Sequence, residues 1–352
     1  MMRKTVFRVS DNPLLGYVYK KNYRDDDAPN LRTSYPYTNS HGFRDVERSY
    51  DKPEGTRRII VLGDSVVAGH MAIESHDQTI SRELEKLLVL DEIEVLNMGI
   101  AGYCTHGEVE LLKEVGLRYS PDLVVLVFVA NDYIDLNTDL GFVTPSAPLR
   151  FLVLRSHLVR YLGIRYNLFG LRTQFGIREI AGEWAGWLYV DDPARRENIL
   201  NGNDAASETI RNHLLAMEDG RLSDVTNVEV ALPALKRLSE EHGFEVVIGV
   251  WPSFGENGIV DTEGIGAAVP LPVDDDTPLA IEIMAQALDI PVFRFSTSFR
   301  RDHSRREAQS GGRIAEPGEL YSQDDMHPNP LGARVAAQAI AEVLDKWPEL
   351  IE

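Results

Sequence analysis

Seven consecutive apolar residues, Leu123-Val124-Val125-Leu126-Val127-Phe128-Val129, follow directly on Ser120-Pro121-Asp122. A β-branched run this short offers no polar face to water, so it reads as a strand covered on both sides, the situation of strands in parallel sheets. Ile59-Ile60-Val61-Leu62 and Val246-Val247-Ile248-Gly249-Val250 repeat the pattern, and shorter runs stand at Ile93–Leu96 and Pro291–Phe295. Helical periodicity falls between them, around 78–90, 106–118, 227–242 (closed by Gly243) and 277–288. A last helix starts beside Asn329-Pro330, with asparagine as N-cap and proline at the first helical position, and runs to about Asp345. Strand and helix alternating in this way predict an α/β fold with a doubly wound, five-stranded parallel sheet.

Two stretches fall outside the alternation. Residues 1–56 are polar and aromatic, with turn formers at Asp11-Asn12-Pro13 and Asn39-Ser40-His41-Gly42, and read as an N-terminal extension with short strands packed on the core. Residues 137–226, between the third and fourth strands, read as a helical insertion, a lid or cap, splitting the main domain into 57–136 and 227–352. Within it Arg150, Arg155, Arg160 and Arg165 recur among Leu, Phe and Tyr, and Trp184 and Trp187 follow. The plain reading of 150–172 is a helix whose Leu/Phe face packs on the core. A basic-aromatic helix can also make a weak contact with a membrane surface.

Composition narrows the partners. The chain carries 36 basic against 55 acidic residues, a formal charge of −19, which repels phosphate backbones and disfavours a nucleic-acid partner. The single cysteine, Cys104, allows no internal disulfide. The N-terminal Met1-Met2-Arg3-Lys4 lacks an apolar segment behind it, and no run approaches the roughly 18 apolar residues of a membrane span. The chain as given therefore reads as soluble and cytoplasmic.

Chemistry gathers at the carboxyl ends of the strands, where open parallel sheets bind ligands. Gly63-Asp64-Ser65 follows the first strand, Asn97-Met98-Gly99-Ile100-Ala101-Gly102 ends the second, and Val129-Ala130-Asn131-Asp132 ends the third. The nucleophile motif G-x-S-x-G is not met, because its last position is Val67. In a flavodoxin-like order, 2-1-3-4-5, the second and third strands flank the first, which sets Gly102 and Asn131 on either side of Ser65. Singly, Gly102 is a turn glycine and Asn131 a strand-end cap. Together, the Ser65 N–H, the Gly102 N–H and the Asn131 amide could surround the oxyanion of an acyl-transfer intermediate. Asp324-Asp325-Met326-His327-Pro328 precedes the last helix and supplies an imidazole with a carboxylate three residues earlier. The spacing favours Asp324 over Asp325, which reads as solvated or capping.

These four pieces, in this order, resemble the SGNH (GDSL-type) serine hydrolase superfamily, over about 57–136 and 244–346. The resemblance implies Ser65 as nucleophile, Gly102 and Asn131 with the Ser65 N–H as oxyanion donors, His327 as base and Asp324 as its orienting acid. One departure is Val129, where the third block usually has glycine two residues before the asparagine. It implies a serine esterase that cleaves O-acyl groups from a small molecule, sugar or lipid, with no cofactor or metal. The same residues would serve an O-acyltransferase, and a binding module for acylated glycans could retain the fold without turnover.

The remaining polar residues receive plainer readings. His70, His76 and His106 lack the spacing of a metal site, although His70 or His106 could line the cleft. Cys104 reads as a buried or cleft-wall residue, and Asp64 and Asp132 as holders of local turns. Asp302-His303 reads as solvated, in a charged loop over Arg300–Arg306.

Overall fold

The computed structural model describes residues 6–10, 12, 15, 17–24, 37–70, 73–88, 92–133, 156, 158, 162, 227–255, 258–263, 271–274, 277–322, 324 and 326–350. The 137–226 insertion, its 150–172 segment included, therefore lies outside the described residues but for three isolated positions, and Asp325 lies outside them too.

The strands are β1 (Phe7–Val9), β2 (Tyr17–Tyr19), β3 (Arg57–Gly63), β4 (Ile93–Gly99), β5 (Leu123–Phe128), β6 (Glu245–Val250), β7 (Ser253–Gly255), β8 (Gly258–Glu263), β9 (Leu271–Val273) and β10 (Val292–Arg294). The helices are α1 (Ser65–Ala68), α2 (Ile80–Leu88), α3 (Thr105–Glu114), α4 (Asn227–His242), α5 (Ala280–Gln286), α6 (Phe295–Ser310), α7 (Pro317–Tyr321) and α8 (Pro330–Lys346). Five strands form the central sheet in the order β10-β6-β5-β3-β4, all pairs parallel. This is the expected 2-1-3-4-5 arrangement, an α/β fold.

The alternation of side chains divides the core in two. Ile60, Leu62, Val124, Leu126, Phe128, Val246 and Ile248 face one way, toward α3, α4 and α5. Ile59, Val61, Leu123, Val125, Val127 and Val247 face the other, toward α1, α2, α6 and α8. The apolar runs are continuous because each face has its own covering helices.

Two parts depart from the expectation. Arg300–Arg306 is not a solvated loop but lies within α6, which starts immediately after β10. Asp302 is 5% exposed, accepts from Arg306 and from the Tyr321 hydroxyl at 2.6 and 2.8 Å, and also pairs with Arg305. Phe295, Phe299 and Asp302 share the buried face at helical spacing, and an aspartate in the third place made an amphipathic helix read as a run of charge. The Gly/Pro-rich stretch after β6 holds a small antiparallel sheet, β7-β8-β9. Its Asp261 is buried and accepts from the Ser296 hydroxyl at 2.9 Å and from Arg294 at 3.3 Å.

The Gly63-Asp64-Ser65 turn sits where β3 and β4 end side by side, Gly63 paired with Gly99. A Cβ on Gly99 would stand 2.1 Å from the Ala68 nitrogen, so α1 can lie this close to β4 only across a glycine. Gly99→Ala is expected to displace α1 and to cost roughly 1–3 kcal/mol, as overpacking does. A denaturant melt checks this; wild-type stability would show that α1 does not depend on this approach.

Candidate active site

Ser65 opens α1 two residues after β3 ends, with Asp64 between. Asp64 caps the helix, its Oδ1 accepting from the Val66 N–H at 2.8 Å. The four-residue α1 closes on Gly69, whose φ of 75° lies in the left-handed region. The sharp strand–turn–helix passage leaves Ser65 partly exposed among buried neighbours.

The last block arrives from the far end of the chain. An isolated bridge between Ser322 and Pro328 closes a turn, and the Ser322 hydroxyl donates to the His327 carbonyl at 3.0 Å. Asn329 accepts from the Leu331 and Gly332 N–H groups, both at 2.9 Å, starting α8 as its sequence predicts. Trp251, just beyond β6, donates its indole N–H to the Met326 carbonyl at 2.9 Å and ties this turn to the sheet. Within the turn, Asp324 Oδ1 accepts from the His327 N–H at 2.8 Å, while Oδ2 lies 2.7 Å from His327 Nδ1. His327 Nε2 lies 2.8 Å from Ser65 Oγ.

This geometry selects one tautomer: a proton on Nδ1 faces Asp324, leaving the Nε2 lone pair aimed at the Ser65 hydroxyl. Burial pushes the Asp324 carboxyl up, but the hydrogen bond and charge of His327, joined by the His327 and Met326 N–H groups, outweigh it and hold it below the usual aspartate range. These contacts favour the ionised carboxylate. Ser65 Oγ also lies 3.3 Å from Asp64 Oδ2, a longer contact than the one to His327.

Asn131 follows β5 in a short 3-10 turn, and its amide Nδ2 lies 3.5 Å from Asp64 Oδ2. An amide has two N–H donors, so one remains for an incoming oxygen. Asp132 accepts from the Val129 N–H at 3.0 Å, holding the turn. On the other flank Gly102 has φ 77°, and a Cβ there would meet the Tyr17 hydroxyl at 2.6 Å. The structure thus brings Ser65, His327 and Asp324 into one chain of contacts and sets Asn131 beside it through Asp64. Such a constellation can take a proton from a serine hydroxyl and offer N–H groups to a developing oxyanion.

The His70 ring lies tilted against the His327 ring, 4.6 Å between centroids and 57° between planes, and its backbone N–H donates to the Ser65 carbonyl at 3.0 Å. Cys104 is buried. Among the described residues no group of three or more His, Cys, Asp or Glu side chains is placed to hold a metal ion, and no helix is long and apolar enough to cross a membrane. Sequence reasoning missed Trp251, Ser322 and Tyr17. All three act through backbone contacts that spacing does not reveal, and only the first left a signal, an indole directly after an apolar strand.

Asp64, Asp132 and Glu108 are all buried. Burial first, then the Asp132 and Asp64 charges, pushes the Glu108 carboxyl well above the ordinary range; burial and Asp64 do the same to Asp132. A carboxyl whose folded pKa is raised takes up a proton on folding, so its contribution to stability falls as pH rises above the unfolded value, about 4.3 for glutamate. Glu108→Gln removes that titration. Its melting temperature relative to wild type is expected to rise between about pH 5 and pH 8, and a difference independent of pH would contradict the raised carboxyl.

A family model described as GDSL-like lipase/acylhydrolase matches residues 59–340. Similar solved structures include a two-domain esterase (CEX) active on acetylated mannans, 14% identical over 83% of this chain and 49% of that one, with a TM-score of 0.41. A member of the lipolytic protein G-D-S-L family from Veillonella parvula DSM 2008 is 14% identical over 82% of this chain and 99% of that one (TM-score 0.36). The lipase/acylhydrolase from Enterococcus faecalis is 13% identical over 82% and 95% (TM-score 0.37). The chain thus spans about half the length of the two-domain esterase. Among curated proteins, none matches.

Proposed function

The chain belongs to the GDSL-like lipase/acylhydrolase family, a hydrolase of esters by class, and from that premise we propose that it cleaves O-acyl esters through a covalent acyl-Ser65 intermediate. The single observation that carries this reading is the unbroken contact chain Asp324 Oδ2–His327 Nδ1 (2.7 Å) and His327 Nε2–Ser65 Oγ (2.8 Å).

In this reading His327 Nε2 takes the Ser65 proton as Oγ forms a bond to the ester carbonyl carbon, and the carbonyl π electrons move to oxygen. The resulting oxyanion lies among the Ser65 N–H, the Gly102 N–H and the Asn131 amide. Collapse of the tetrahedral intermediate breaks the bond to the alcohol oxygen, which leaves with the proton held by His327. Water then repeats the sequence in reverse: it gives a proton to His327, attacks the acyl carbon, and returns Ser65 with its hydroxyl restored. Asp324 keeps the imidazole oriented and stabilises its charged form without taking the proton. The substrate is an O-acylated small molecule, sugar or lipid.

Ser65→Ala is expected to abolish release of p-nitrophenol from short-chain esters while leaving the fold intact. Retained turnover would remove Ser65 from the chemistry. Asn131→Ala is expected to lower kcat on the order of 100-fold, the loss that accompanies one oxyanion donor. Near-wild-type turnover with a wild-type melting curve would take Asn131 out of the site. Protonation of His327 fills the lone pair that accepts the serine proton, so kcat/KM should fall on the acid side as pH drops. A flat profile from about pH 5 to 8 argues against a histidine base.

A further inference from the structure

The N-terminal hairpin lies outside the matched family region, yet it reaches the loop that carries Gly102. β1 and β2 pair antiparallel, with Phe7 opposite Tyr19 and Val9 opposite Tyr17. The Tyr17 hydroxyl donates to the Ala101 carbonyl at 2.7 Å, and the Tyr19 hydroxyl accepts from the Ala101 N–H at 2.9 Å. Tyr103, next in the loop, returns a hydrogen bond from its hydroxyl to the Tyr17 carbonyl. The Tyr17 ring is wedged edge-on between Phe7 and Tyr103, with centroids 5.2 and 5.5 Å away. Burial pushes the Tyr17 phenol above the ordinary tyrosine range, with Tyr19, Cys104 and Asp64 adding to it, so it stays protonated and able to donate.

The Ala101 carbonyl and the Gly102 N–H belong to one planar trans peptide unit and point in opposite directions. A donor fixed on the carbonyl therefore fixes where the N–H points. It also polarises the amide, which strengthens the N–H as a donor. Gly102 needs such an anchor, because its φ of 77° is one of several that a glycine can adopt. The phenol sits where a Gly102 side chain would be, with 2.6 Å between Tyr17 Oη and the ideal Cβ position.

We propose that Tyr17 is a positioning residue for ester cleavage: by donating to the Ala101 carbonyl, it aims and strengthens the Gly102 N–H that receives the oxyanion. Tyr19 holds the preceding peptide unit by accepting from the Ala101 N–H. The inference rests on the esterase reading and assigns the N-terminal hairpin a part in catalysis that the hydrolase domain does not supply from its own residues.

The test is Tyr17→Phe, which removes one hydroxyl and keeps the wedged ring. It is assayed on p-nitrophenyl acetate and by inhibition with an aryl trifluoromethyl ketone, whose tetrahedral adduct carries an oxyanion. Misdirecting a donor without deleting it should cost less than the full loss of about 100-fold, so kcat is expected to fall roughly tenfold with KM within about twofold of wild type. Affinity for the ketone should weaken in parallel with kcat/KM. A wild-type kcat, or a lower rate with ketone affinity unchanged, overturns the proposal; the latter is the pattern of a merely structural tyrosine. If Tyr17→Phe does not fold, 3,5-difluorotyrosine at position 17 retains the hydroxyl and alters its donor strength. Rate and ketone affinity are then expected to shift together, and no shift in either overturns the inference. Wild type and Ser65→Ala run alongside: absence of Ser65-dependent turnover in wild type sinks the esterase reading itself, whereas normal wild-type turnover with an unaffected Tyr17 variant sinks only this step.

Discussion

Everything proposed for this molecule depends on one hydrogen bond, between His327 Nε2 and Ser65 Oγ, joining residues 262 positions apart in the chain. A contact between such distant residues cannot be set by local sequence, and a displacement of about 1 Å at a reacting atom can cost a hundredfold in rate. Both partners are accordingly held from behind. Ser65 is fixed by the Asp64 cap, the end of β3 and the glycine that lets α1 press on β4. His327 is fixed by a turn that Ser322 closes, Trp251 ties to β6 and Asn329 ends by starting α8. Gly332, in the first turn of α8, would place a Cβ 2.1 Å from the Tyr321 carbonyl oxygen, so this helix too is seated by a backbone approach that only glycine permits.

The electrostatics follow the same division of labour. Asp324 is held ionised by the donors around it, as suits a group that steadies a developing imidazolium. Asp64 is buried directly behind the serine, and burial raises its carboxyl despite the Val66 N–H, His327, Asn131 and Ser65. Two carboxyls near one serine thus meet opposite environments: burial raises Asp64, while the hydrogen bonds from His327 lower Asp324, on the far side of the imidazole. Burial also raises the Glu108 and Asp132 carboxyls well above their ordinary range.

Most of the scaffold was legible in the sequence, because strands buried on both faces leave uninterrupted apolar runs such as Leu123–Val129, and Asn329-Pro330 announces a helix start. Strand order then put the ends of β4 and β5 on either side of β3. What escaped is what those signals do not encode. In α6 an aspartate occupies a buried helical position, satisfied by Tyr321 and two arginines from its own helix, so periodicity counted it as exposed. The β7-β8-β9 sheet is built from a Gly- and Pro-bearing stretch with weak alternation. Trp251 and Tyr17 act on carbonyls of distant loops, and a hydrogen bond to a backbone atom leaves no partner residue type to search for.

The most direct measurement of the central claim is peptide mapping by mass spectrometry after reaction with a fluorophosphonate. Attack on phosphorus needs a serine activated by its neighbouring base. The structure predicts a single phosphonylated peptide containing Ser65, formed in the wild type and lost when His327 is replaced by alanine. An adduct on another residue, or none while ester hydrolysis continues, would contradict it.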